Sequence, residues 1–197
     1  MGGLERAEWC GHFSTMNHIY EDQCFGEQWF TYPSVYRLMV DKCDPSGTIV
    51  ELGAWKGRSS AFLVVEAKNK SPDINIHIVD TWLGSEEHTN EMKDNLYQKF
   101  KFNMARLDGL YKEHRMTTNE AVHLFKDKSL DGVFIDADHS YEAVKKDIAD
   151  WLPKIKNGGI IAGHDYIQTF SGVIRAVNES FPNMDFMLGE QCWVKQC

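Results

Sequence analysis

One stretch constrains this chain more than any other: Ile49-Val50-Glu51-Leu52-Gly53-Ala54-Trp55-Lys56-Gly57-Arg58-Ser59-Ser60. A short apolar run ends on an acid, turns through Gly-x-x-x-Gly and enters the amphipathic Ser60-Ala61-Phe62-Leu63-Val64-Val65-Glu66-Ala67. That order predicts the first strand-loop-helix unit of an open parallel sheet, the place where such sheets bind nucleotide-like ligands. Gly53 can adopt backbone angles closed to other residues and lets a ligand lie against the main chain, while Gly57 lets the helix pack close to the strand.

The ligand follows from the acid. A dinucleotide site needs Gly-x-Gly-x-x-Gly so that a pyrophosphate can rest on the helix N-terminus. Here Glu51 stands at the first of those positions, repels phosphate and suits a cation. S-adenosylmethionine carries an ammonium, a sulfonium and no phosphate, and Ser59 is placed to bond its carboxylate. The alternative is an ordinary glycine-containing turn.

At 197 residues the chain is expected to form one domain, with residues 1–46 as an N-terminal helical or lid segment and 47–197 as the cofactor-binding core. A net charge of -8 argues against a general nucleic-acid or membrane-surface binder, since both need a basic face. The five cysteines form no Cys-x-x-Cys pair, which predicts free thiols in a reducing, cytoplasmic setting. No apolar run approaches the roughly 18 residues of a membrane span.

Residues 1–32 mix glycine, histidine, cysteine and aromatics with weak periodicity and read either as a lid or as a flap over the sheet. Pro33 opens a helix that ends before Asp44-Pro45-Ser46-Gly47. A second strand, Ile74 to Asp80, also ends on an acid, where a Rossmann-like sheet places the carboxylate that meets ribose hydroxyls; a plain turn acid is the alternative. Trp82 either touches a ligand or plugs its loop, and His88 reads as a solvated loop residue. Thr117 to Glu120 forms a capping box, with Asn119 either presenting its amide to an adenine edge or simply within the cap.

The second informative stretch is Val133-Phe134-Ile135-Asp136-Ala137-Asp138-His139, a buried strand running into acids and a histidine. After Asn157-Gly158-Gly159, the apolar Ile160-Ile161-Ala162-Gly163 ends at His164-Asp165-Tyr166. Two neighbouring parallel strands thus deliver oxygen and imidazole groups to one sheet edge, where converging carboxylates attract a hard divalent cation such as magnesium. Helix capping by Asp136 and a core role for His164 are the alternatives. The tail, Met184 to Lys195, predicts two short strands joined at Gly189-Glu190.

Glu51-Leu52-Gly53-Ala54-Trp55-Lys56-Gly57-Arg58-Ser59 and Phe134-Ile135-Asp136-Ala137-Asp138-His139 resemble the class I S-adenosylmethionine-dependent methyltransferases. Within them the chain is similar to the small metal-dependent O-methyltransferases typified by catechol and caffeoyl-CoA O-methyltransferase, and to related small bacterial methyltransferases. The resemblance implies an α/β, Rossmann-like, doubly wound sheet of seven strands, mostly parallel with an antiparallel C-terminal hairpin strand. It implies a cofactor site of Glu51, Gly53, Ala54, Trp55, Gly57, Ser59, Asp80, Asn119 and Asp136. Where the family has an acid at the start of its metal pair, this chain has His164, so the implied metal set is Asp136, His164 and Asp165. Where the family has a basic lysine, this chain has His139, which titrates near neutrality and serves as the implied base.

The expected activity is S-adenosylmethionine-dependent O-methylation of a small-molecule hydroxyl, assisted by Mg2+ or another divalent cation. The rival is a catalytically silent S-adenosylmethionine-binding module or subunit; a nicotinamide oxidoreductase is disfavoured by the glycine pattern. Nucleic acid and membrane are not expected partners, and the acceptor's identity and any oligomeric state stay open.

Overall fold

Strands that are apolar on both faces must be covered on both sides, and strand-helix repeats supply that cover. The structure, a computed structural model, describes residues 15–85, 88–182 and 191–197. Six strands form one sheet among the described residues: β1 (Thr48–Leu52), β2 (Asn75–Asp80), β3 (Lys112–Arg115), β4 (Leu130–Ile135), β5 (Ile155–Gly163) and β6 (Trp193–Gln196). Their spatial order is β3-β2-β1-β4-β5-β6, all parallel except the antiparallel β5–β6 pair.

The sheet is therefore Rossmann-like, but with six described strands instead of the expected seven. The first arm of the predicted hairpin falls largely within residues 183–190, outside the described residues, whereas the second arm is β6.

The helices are α1 (Pro33–Lys42), α2 (Arg58–Lys70), α3 (Asn90–Lys93), α4 (Leu96–Met104), α5 (Thr118–Ala121), α6 (Tyr141–Trp151) and α7 (Ser171–Ser180). Strand alternation sorts the core into two halves. Ile49, Ile76, Ile78, Phe134 and Ala162 pack with α1, α2 and α4, whereas Val50, Leu52, Val133, Ile135 and Ile161 pack with α5, α6 and α7. Val35, Tyr36, Met39 and Val40 of α1 belong to the first half, so part of the N-terminal segment is core. The chain breaks between α3 and α4 at Asn95, whose φ of 52° is left-handed.

Among the described residues no helix is long and apolar enough to cross a membrane. The four described cysteines are free, and Cys10 lies outside the described residues. The chain leaves β1 and β4, the central pair, toward opposite edges of the sheet. A crevice must open beyond their carboxyl ends.

Candidate active site at the strand tips

At the tip of β1 the main chain passes very close to β4. Gly53 has φ +88°, and a Cβ there would lie 2.0 Å from the carbonyl oxygen of Asp136. Asp136 N donates to Leu52 O (2.8 Å) and Gly53 N donates to Val79 O (2.9 Å), so three strand tips are tied together at this turn. Gly57, also left-handed at φ +89°, meets Met104 and Phe100 of α4. The close packing expected of it is thus with that helix and not with the strand, and it lies away from the cavity.

Asp80 ends β2 and is wholly engaged with the loops. Its Oδ2 accepts from Ala54 N (2.8 Å) and Trp55 N (2.9 Å), and its Oδ1 accepts from Trp82 N (2.6 Å). Burial raises its pKa despite these bonds. Trp82 is the plug of the two alternatives: it is buried between Tyr97 and Phe100, and its Nε1 donates to Trp55 O at 3.0 Å.

Glu51 is placed otherwise than expected. Strand parity puts it on the face of Ile49, toward α1, where it is fully buried. Tyr36 Oη donates to Oε1 at 2.6 Å and Ser60 Oγ donates to Oε2, while Ser59 also bonds the carboxylate. Its charge serves these hydroxyls beneath the turn and does not line the cavity. Burial pushes its pKa up to about 7, against the hydroxyls that favour the anion. A raised carboxyl pKa means that the folded state binds the extra proton, so this group's contribution to stability declines as pH rises from about 4.5 to 7. Glu51→Gln is expected to flatten the fall in Tm across that interval in pH-resolved calorimetry; an unchanged slope would assign it to another group.

A cavity of about 810 Å3 opens along the strand tips. Gly53, Ala54, Trp55, Ser59, Asp80, Asn119, Asp136, His139, His164 and Asp165 all line it. Asn119 is exposed just inside the capping box, in which Thr117 Oγ1 and the Glu120 carboxylate bond each other's main-chain N–H. The site residues expected from the sequence are therefore brought together, apart from Glu51 and Gly57.

The roof comes from residues 25–32. Arg58, at the start of α2, donates to the carbonyls of Tyr20 (2.5 Å), Gly26 (3.0 Å) and Glu27 (3.1 Å), and Lys56 Nζ lies 2.7 Å from Glu27 Oε2. His88 is no free loop residue: its ring stacks on Trp55 at 4.2 Å and on Trp29 at 5.8 Å, closing an aromatic wall. The described part of the weakly periodic segment thus lines the cavity from above with residues 25–32. Glu27, Trp29, Thr31, Tyr32 and His88 escape a reading by motif because they sit on irregular loops; only their density of aromatic and charged side chains marks them.

Beyond the wall, β4 and β5 deliver a charged cluster. His139 Nε2 lies 2.9 Å from Asp165 Oδ2 and 3.6 Å from Asp136 Oδ1. His164 Nδ1 lies 3.4 Å from Asp165 Oδ2 and 3.8 Å from Asp136 Oδ1. Tyr32, buried in the roof, donates to Asp136 Oδ2 at 2.6 Å and packs its ring on Phe134 and His164. Burial disfavours charge on His139, but the hydrogen bonds and charges of Asp136 and Asp165 outweigh it and push its pKa up to about 11. The same carboxylates raise His164, and both imidazoles hold Asp165 well below the usual carboxylate range although its burial works the other way. These carboxylates therefore favour the charged form of His139, the residue expected to serve as the base. Asp136, His139 and Asp165 present ligand atoms all within 4.8 Å of one another, a group able to hold a metal ion.

The sequence and the fold are similar to those of known proteins. The chain is 28% identical over 117 residues to the uncharacterized protein y4gI of Sinorhizobium fredii, a stretch that is 59% of this chain and 13% of that relative's length. The fold is similar to that of the O-methyltransferase NovP (TM-score 0.66, 15% identity, 83% of this chain and 78% of that one). It is also similar to an O-methyltransferase from Bacillus cereus solved in complex with SAH (TM-score 0.56, 14% identity, 80% and 71%). A third likeness is CalS11, a TDP-rhamnose 3'-O-methyltransferase of calicheamicin biosynthesis (TM-score 0.56, 14% identity, 83% and 76%). The family described as "Methyltransferase domain" matches residues 50–166, from within β1 to just past Asp165, which takes in both tips of the cavity. With that match over more than half its length, the chain belongs to the methyltransferase-domain family.

Proposed function

We propose that the chain transfers the methyl group of S-adenosylmethionine to a hydroxyl oxygen of a small-molecule acceptor. The observation that carries this reading is the joining of two unlike halves in one cavity: the glycine turn with Trp55 and Asp80, and the Asp136–His139–His164–Asp165 cluster. In-line methyl transfer needs the two partners held in contact and otherwise little covalent chemistry from the protein. Ala54, Trp55, Ser59 and Asn119 form the donor side under the His88 and Trp29 rings. The acceptor side lies at the cluster, and the lid excludes water from both.

Asp136, His164 and Asp165 fit a divalent cation by their oxygen and imidazole donors. Such an ion, when bound, supplies positive charge that lowers the pKa of an acceptor hydroxyl. His139, held charged between two carboxylates, places positive charge beside the same oxygen. His139→Asn is therefore expected to reduce turnover by a similar factor at every pH between about 6 and 9, because the group lost is a fixed charge and not a base titrating near neutrality. A displaced acid limb in the variant's pH profile would restore it as the base.

The reading is tested by calorimetric titration with S-adenosylhomocysteine, followed by turnover on a panel of sugar and phenolic hydroxyls. Uptake with turnover supports it. Uptake without turnover on any acceptor favours a silent binding module, and no uptake by folded protein ends the proposal.

A further inference from the structure

We infer that Asp147 is a positioning residue for the purine of the donor: through the hydroxyl of Thr118 it holds α5 against α6 and so aims the Asn119 amide at the 6-amino group of adenine. This role rests on the reading of the cavity as an S-adenosylmethionine site, and gives it to a residue that does not line that cavity.

An acid is costly where Asp147 stands. The inward stripe of α6 is Val144, Asp147, Ile148 and Trp151, at the i, i+3, i+4, i+7 spacing of a helix face, and Asp147 is only 4% exposed within it. Burial pushes its carboxyl up to about 6, against the Thr118 hydroxyl, which favours the anion. A leucine would fill the stripe with no polar group to desolvate. What the carboxylate supplies instead is a directed bond. Thr118 Oγ1 donates to Asp147 Oδ1 at 2.6 Å, joining α5 to α6 across 29 positions of chain.

α5 needs such a tether. It is four residues long, too short to be stable by itself, and the box between Thr117 and Glu120 fixes its start but not its direction. Thr118, Ala121 and Val122 share one side of this turn, at i, i+3 and i+4, and Ala121 and Val122 are buried in one cluster with Val144 and Ile148 of α6. Asn119 comes about 100° further round. It is exposed and lines the cavity, as do Thr118 and Ala143, the residue one turn before Asp147 on α6. Asparagine offers one carbonyl acceptor and one amide donor, the pair that matches the 6-amino group and a ring nitrogen of adenine. Such bonds weaken steeply when misdirected, so the turn that carries Asn119 has to be fixed from behind.

The test is calorimetric titration of the full chain with S-adenosylhomocysteine and with its analogue lacking the 6-amino group. The unmodified protein is expected to favour the first by about 10-fold, the worth of one such bond. Thr118→Val, and Thr118→Val combined with Asp147→Leu, should reduce this preference to about 3-fold or less. Asp147→Asn keeps an oxygen for the hydroxyl and should retain it. The paired variant replaces both polar partners by apolar groups and leaves neither unsatisfied, so it serves where a single variant unfolds. In an Asn119→Ala background the preference should already be lost, with no further change on adding the pair. An undiminished preference in the folded paired variant would overturn the inference and leave Asp147 as a core acid only. Equal affinity of the unmodified protein for both ligands would overturn it with the methyl-donor reading intact, and uptake of neither would end both.

Discussion

Gly53→Ala is expected to lower stability by about 3 kcal/mol or more, a fall in Tm of about 6–12 °C for a chain of this size. Two costs add. The left-handed φ of +88° penalises any Cβ by about 1–2 kcal/mol, and that Cβ would lie 2.0 Å from the Asp136 carbonyl oxygen and 2.5 Å from its carbon, both backbone atoms that cannot swing aside. β1 and β4 would have to separate at the tip where Asp136 N bonds Leu52 O, which also displaces the cluster below. The structure supplies its own control. Gly158 has a similar φ of +83° but nothing within 4 Å of where an added methyl would sit, so Gly158→Ala should show the conformational cost alone. Thermal unfolding of both variants separates the two costs, and equal losses would mean that the strand tips yield more easily than their packing implies.

Asp165→Asn is expected to cost about 3 kcal/mol near pH 6, the lower end of what breaking a buried charge pair costs. It removes the carboxylate nearest to both imidazoles and leaves Asp136 alone to balance them. The pH dependence has a definite sign. His139 is raised on folding, so its contribution is complete below about 6.5 and is lost as pH climbs toward about 11. Asp165 is lowered on folding, so its contribution holds above the ordinary carboxyl pKa and is lost in acid. The cluster therefore stabilises most between these limits. The variant should differ most from the parent near pH 6 and approach it near pH 10; a deficit of the same size at both values would show that the loss is one of packing and not of charge.

Much of this site is written in local patterns. An apolar run that ends on Glu51 or Asp136 has the length and flanking turns of a buried strand, and period-2 alternation alone assigns Ile49 and Val50 to opposite layers. The same alternation could have placed Glu51 beneath the turn, since it shares parity with Ile49; reading the acid by its motif position hides that. Trp82, Gly57 and His88 needed the fold, because what each touches is 15 or more residues away in sequence: Tyr97 and Phe100, Met104 and Phe100, Trp55 and Trp29.

By itself, then, the sequence determined that a parallel sheet with a glycine bend would gather acids and imidazoles at one edge, because strand termini are local events and parallel strands end together. Only the tertiary structure decided what those groups are. His139 lies between two aspartates that raise its pKa, and Tyr32 reaches Asp136 from 104 positions away, because protonation and hydrogen bonding answer to distances that no local pattern encodes.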